Sequence, residues 1–271
     1  MNYRKWIAHF ERNKLNRPEP DWVAPITIPR RKLKPLLKTL AEFQLGDGGG
    51  PCCLIARNAE RFTGVDPELD RVVDFWFEEE AGHARLLGCA VDRFGGRRIQ
   101  SHWSFTAFCA VRRWLGVRFE LQVLLLTELV STAYYRVLQR HVGDGAVRAM
   151  CGLILRDEAG HVAFHRDRLA HANPTPASLP GAVWQLQFWL CGLAAASVLW
   201  LSHGPCLQPF GATTREYFSE VRREIGGFIA RLVARCRAMA TSRESPVFSS
   251  PVVGPSGATV WQHPLSNAPT P

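Results

Sequence analysis

The tetrapeptide Glu-Ala-Gly-His occurs twice in this chain, at Glu80 to His83 and at Glu158 to His161, each time within a run that reads as an apolar helix. Residues three apart on a helix differ by about 60° around its axis, so each glutamate shares a face with its histidine. That face is the apolar one. Val73, Trp76, Glu80, His83 and Leu87 follow one another at spacings of three and four, as do Val147, Cys151, Ile154, Glu158, His161 and His165. Acids on a solvated helix stand opposite the apolar stripe, whereas these stand inside it. A buried ionised carboxylate is costly unless a cation compensates it, and neither seam offers a lysine or arginine at a neighbouring position. Any fold that encloses both helices must therefore bring positive charge to its centre.

Metal ions supply such charge. A helical bundle that holds two of them uses Glu-x-x-His from each of two helices and one further carboxylate from each of two others. The pattern demands an in-phase acid ahead of each tetrapeptide. Glu128 lies thirty positions before Glu158, on a seam with Leu121, Leu125, Thr132 and Tyr135. Glu120 is the weaker choice, nearer the polar end of the same segment. Asp47 lies thirty-three positions before Glu80, in phase with Leu36, Leu40 and Phe43, with Glu42 and Glu60 as less well-phased substitutes. The predicted ligand set is thus Asp47, Glu80, His83, Glu128, Glu158 and His161. Its four carboxylates balance two divalent cations. A donor set dominated by carboxylates suits iron or manganese better than structural zinc, so two iron ions are expected, with manganese or a mixed manganese–iron pair as the substitute.

The segments "FQLGDGG", "FEEEAGHARLLG" and "LRDEAGHVAFHRDRL" resemble those of bacterial ferritin-like proteins, within the superfamily of rubrerythrins and the ribonucleotide reductase small subunit. The resemblance spans roughly residues 33 to 170 and rests chiefly on the paired Glu-x-x-His. Its first helix usually carries Glu, so Asp47 is a departure. The resemblance implies a ferritin-like four-helix bundle, here with additional C-terminal helices, and an oxygen-activating oxidoreductase. Hydroxylation, N-oxygenation and desaturation of a small organic substrate all fall within its range, with dioxygen and an electron-donor protein as partners. A peroxide-reducing protein of the rubrerythrin type is an alternative, but there is no C-x-x-C iron site. Iron storage is another, poorly matched by the long apolar segment near the C-terminus. A degenerate, non-catalytic bundle is the last, with Asp47 as its symptom.

The rest of the chain is read around this centre. Residues 1–30 form a Pro-containing arm, 31–240 the helical domain and 241–271 a Ser- and Pro-rich tail expected to be disordered. No alternating strand pattern appears, so the fold class is all-α. At 271 residues and 46% hydrophobic, the chain can bury one large core. The net charge of +9 has its densest run in "PRRKLKPLLK", without a recognition motif, so nucleic acid is not the expected partner. Eight cysteines without a C-x-x-C pair read as reduced core thiols, and an N-terminus lacking a signal-type apolar core reads as cytoplasmic. "FWLCGLAAASVLWL", residues 188–201, is shorter than the roughly 20 residues of a membrane span and is read as a buried or subunit-facing helix, which allows a homodimer. His165, Tyr135 and Trp76 lie on the same seams and read first as core packing.

Overall fold

A computed structural model describes residues 1–48, 53–172 and 179–244, and every regular element among them is helical. Nine α-helices are described: α1 (Tyr3–Leu15), α2 (Arg30–Gly48), α3 (Ala59–Thr63), α4 (Pro67–Arg93), α5 (Trp103–Trp114), α6 (Val117–His141), α7 (Gly145–Ala172), α8 (Leu179–Leu207) and α9 (Thr214–Glu244). The four seams read from sequence fall on α2, α4, α6 and α7. In this quartet α2 packs on α4, α4 on α7 and α7 on α6. The three other long or packed helices straddle pairs of these: α1 lies on α4 and α7, α9 on α6 and α7, and α8 on α2 and α6.

Local chemistry fixes where the inner helices begin. Asp66 caps α4 by accepting from the Glu68 amide at 2.9 Å, Pro67 opens the helix, and Glu68 and Asp70 favour its N-terminal dipole. Asp144 accepts from the Val147 amide at the start of α7 and pairs with Arg93 of α4 at 3.0 Å, both side chains almost wholly buried. The main core joins α2, α4, α6, α7, α8 and α9. A smaller cluster, with Trp6, Phe10, Trp76 and Phe164 at its centre, glues α1 to α4 and α7.

Three readings change in extent. The arm holds a 13-residue helix, α1, ahead of the proline-rich stretch, and residues 16–29 after it are non-helical. At the other end α9 continues through Glu244, past the expected boundary at Thr241. The remainder of the predicted disordered tail, residues 245–271, lies outside the described residues, as do Gly49, Gly50 and Pro51. The third change concerns α8. The apolar 14-residue run is only its middle, because uncharged residues extend the helix in both directions. Gly181–Phe210 is 30 residues long with a mean hydropathy of 1.4, enough by length and composition to cross a membrane, so the argument from shortness does not hold. One side of α8 packs on the bundle through Phe188, Gly192, Ala196 and Trp200, while Val183, Leu186, Leu190, Val198 and Leu201 are exposed.

Candidate metal centre

The quartet brings all six predicted ligands together. Glu80, Glu128, Glu158 and His161 each offer a donor atom within 4.8 Å of the others, and Asp47, Glu80 and His83 do likewise, so Glu80 joins the two groups. Each of α2, α4, α6 and α7 contributes, as the spacing predicted. The substitutes are engaged elsewhere. Glu42 faces Lys38, His102 and His203 at 3.7 to 3.9 Å. Glu60 is exposed on α3. Glu120 is wholly buried but accepts from the Ile55 and Ala56 amides and from Arg112, a structural task that anchors the loop before α3.

The two tetrapeptide glutamates lie between the two histidines. Glu80 places Oε2 3.6 Å from His83 Nδ1 and Oε1 3.1 Å from His161 Nδ1. Glu158 repeats this, with Oε1 3.8 Å from His83 Nδ1 and Oε2 3.5 Å from His161 Nδ1. Glu128 stands on the His161 side at 3.8 Å.

The outer face of each imidazole is held by an acid that sequence reading missed. His83 Nε2 is 3.1 Å from Asp157 Oδ2, and His161 Nε2 is 2.9 Å from Glu79 Oε2. The arrangement is crossed, since each ring is held by the residue just before the other helix's tetrapeptide. Successive helical residues turn by about 100°, so Glu79 and Asp157 point sideways toward the partner helix while Glu80 and Glu158 point inward. An acid on the outer nitrogen orients the ring so that Nδ1 faces the centre, as in carboxylate–histidine–metal arrangements. The signal was legible, because both copies read acid-Glu-Ala-Gly-His.

Helix α1 and the residues after it close this outer layer. Asn13 Nδ2 donates to Glu79 Oε1 and Asp157 Oδ1, both at 2.7 Å, and Arg17 pairs with Asp157 at 2.7 Å. The glycines of the tetrapeptide face this layer too. A Cβ on Gly160 would lie 2.5 Å from His9 Nε2, and one on Gly82 would lie 3.4 Å from the Arg17 guanidinium.

Electrostatically the centre is frustrated without a cation. Burial, reinforced by the charge of Glu80, holds the Asp47 carboxyl well above the usual range, and burial does the same for Glu128. Burial also raises Glu158, despite the facing His161 imidazole. Burial opposes charge on Glu80 as well, but the facing His161 and His83 imidazoles outweigh it and hold that carboxyl low. His83 is pushed up to about 10: burial disfavours its charge, and the bond to Asp157 together with the facing Glu80 carboxylate prevails. Among the described residues, Glu80, Glu128 and Glu158 pair only with histidines. His83 Nδ1, His161 Nδ1, Glu158 Oε2 and both Glu128 oxygens are buried without a hydrogen bond. Buried polar atoms are normally partnered, and five that belong to two adjoining groups joined by Glu80 suit cations held by oxygen and imidazole donors.

The flanking residues take defined places. His165 Nε2 is 3.7 Å from Glu128, its Nδ1 accepts from Arg168 at 3.2 Å, and burial keeps the ring neutral. Trp76 packs edge-on against His165 and His161, with ring centroids at 5.0 and 5.9 Å. The Tyr135 hydroxyl is buried, and burial together with the Asp47 charge keeps it protonated.

Comparison with known protein families, characterised sequences and solved structures gives no match to this chain.

Proposed function

We propose that the centre holds two divalent metal ions, iron in first place, and that the protein is an oxygen-activating oxidoreductase acting on a small organic substrate. The observation that carries this reading is the meeting of two outwardly anchored imidazoles with the Glu128 and Glu158 carboxylates, which together present five buried donor atoms without a hydrogen bond. Asp47 and His83 would hold one ion, Glu128 and His161 the other, and Glu80 and Glu158, each offering one oxygen to either side, would lie between them. When bound, a ferrous pair supplies electrons for the reduction of dioxygen, and an electron-donor protein would restore them. The chain's own contribution is positional. Glu79 and Asp157 orient the imidazoles, Asn13 and Arg17 fix Glu79 and Asp157, and Trp76, Phe10 and Phe164 exclude water from the α1 side.

Anaerobic ferrous titration tests the centre. The expected stoichiometry is about two per chain, following the dimetal pattern. Glu80→Ala and Glu158→Ala should each abolish most of it, because each carboxylate faces both imidazoles. Full stoichiometry in both variants would sink the reading. Oxygen uptake by the ferrous protein, absent from both variants, tests the chemistry. Uptake that ends with ferric iron retained and no substrate oxidised would favour iron handling over oxygenation.

A further inference from the structure

The centre opens to the surface on one side. Between α6, α7 and α9 runs a cleft of about 520 Å³, a size suited to a small ligand. Its inner end is formed by Glu158 and Thr132, which are 4% and 5% exposed. Glu158 Oε2 and Thr132 Oγ1 are both buried there without a hydrogen bond. Its walls include Leu155, Val162 and Phe228, and its lining carries four guanidinium groups, from Arg136, Arg166, Arg223 and Arg231.

The cleft lining sets four guanidinium groups against two carboxylates, and three of the four also meet an acid. Among the described residues, Glu224 is the one carboxylate in the cleft lining besides Glu158, and it pairs with Arg136 at 3.1 Å and faces Arg223 at 3.8 Å. Arg223 also pairs with Glu220, and Arg166 with Asp167. An adjoining cleft shares Arg136 and Arg223 and adds Arg148 and Arg140, the last paired with Glu216 and Glu220. Guanidinium groups bind carboxylate and phosphate through paired N–H donors, and a concave surface of one sign concentrates the opposite charge.

We propose that this cleft seats the substrate and that the substrate is a small organic anion. Its carboxylate or phosphate group is held by the arginines at the mouth, and its apolar body lies along Leu155, Val162 and Phe228 toward Glu158 and Thr132. The chemistry done there rests on the dinuclear reading, but the binding does not.

Calorimetric titration with 4-phenylbutyrate, phenyl phosphate and the neutral 4-phenylbutyramide tests the proposal, on the protein before and after anaerobic ferrous loading. One or both anions should bind at least about tenfold tighter than the amide, and whichever is preferred identifies the head group. Arg166→Gln and Arg231→Gln should each weaken the anion about tenfold while leaving amide affinity, melting temperature and iron stoichiometry as in the parent. Equal affinity for amide and anions, or anion binding unchanged in both variants, would overturn the proposal and leave the metal centre standing. Arginine-dependent anion binding by a protein that takes up no iron would support the cleft and refute the metal reading instead. A single-stranded oligonucleotide that binds far tighter than either small anion, with the same arginine dependence, would overturn the small-anion assignment.

Discussion

Asp47 reaches one methylene less far than Glu128, its counterpart on α6, and Gly48 makes up the difference. A Cβ at position 48 would lie 2.5 Å from the Ala84 Cβ, so α2 ends closer to α4 than two alanines allow. This glycine is a packing device, and it brings a short acid within range of Glu80 and His83. Gly48→Ala should therefore push the helices apart and lower ferrous stoichiometry from about two toward one, following the dimetal pattern. Ala84→Gly in the same chain removes the colliding atom and should restore it. Failure of that rescue would show that helix approach does not set the Asp47 site. The tetrapeptide glycines make a second contrast. Gly82→Ala meets Arg17 at a tolerable 3.4 Å and should gain up to roughly 1 kcal/mol of helix propensity. Gly160→Ala collides with His9 at 2.5 Å and should lose stability in the same thermal melts. The six inner residues were legible because helical period alone places them on buried seams. The acid before each tetrapeptide was legible as part of the repeat, but the role of Glu79 and Asp157 was not, since it depends on which helix lies beside their own.

Among the elements, α1 shows most plainly what periodicity leaves out. Only Trp6, Ile7 and Phe10 of its thirteen residues are buried, too short an apolar stripe to mark it as part of the bundle. Its contribution is carried instead by Asn13 and, just beyond its end, Arg17, whose partners lie on two other helices. Arg17→Met should weaken ferrous binding by about 10- to 100-fold, the usual cost of removing a group that orients metal ligands, and lower the melting temperature as well. Unchanged iron affinity would reduce α1 to a passive cover. The non-helical strap that follows is fastened by Glu19, which takes two hydrogen bonds from Arg85 of α4, at 2.9 and 2.7 Å. Those bonds and one from Trp22 outweigh partial burial and hold the carboxyl at about 2, against an ordinary 4.5. A depressed carboxyl stabilises fully above its unfolded value and loses that contribution as pH falls through the folded one. The strap should thus be secured above pH 4.5 and released toward pH 2, by about 1 kcal/mol or less for so exposed a pair. Limited proteolysis within residues 16–29 by an acid-active protease should rise across that window. Glu19→Gln should be cleaved at the higher rate throughout, and a rise of the same size in that variant would exclude Glu19 as the cause.

Across the described residues, helices surround a centre reached by one cleft, and one face of α8 is left apolar. The quartet was readable because each seam alternates spacings of three and four over several turns. The true extent of α8 was not, because Pro180, Gly181, Gly204 and Pro205 look like breakers yet fall in or near its end turns. Leu186, Leu190, Leu193 and Leu201 recur along one exposed face, and Leu190 and Leu201 are 59% and 78% exposed. Single exposed leucines are ordinary, but a continuous stripe along a helix with no Asp, Glu, Lys or Arg is not. Within the described chain these side chains support nothing. Leu190→Glu and Leu201→Glu should leave thermal stability within about 0.5 kcal/mol of the parent, as for other surface changes, and ferrous stoichiometry untouched. Soluble yield should rise, because each charge interrupts the stripe. A sharp loss of stability in both variants would mean that the face is buried against another surface in solution, and sedimentation velocity would show whether that surface is a second copy. Salt-resistant recovery of the parent in membranes, abolished by either charge, would assign the stripe to lipid instead. It would also make α8, whose length and hydropathy already suffice, the element that fixes where the centre operates.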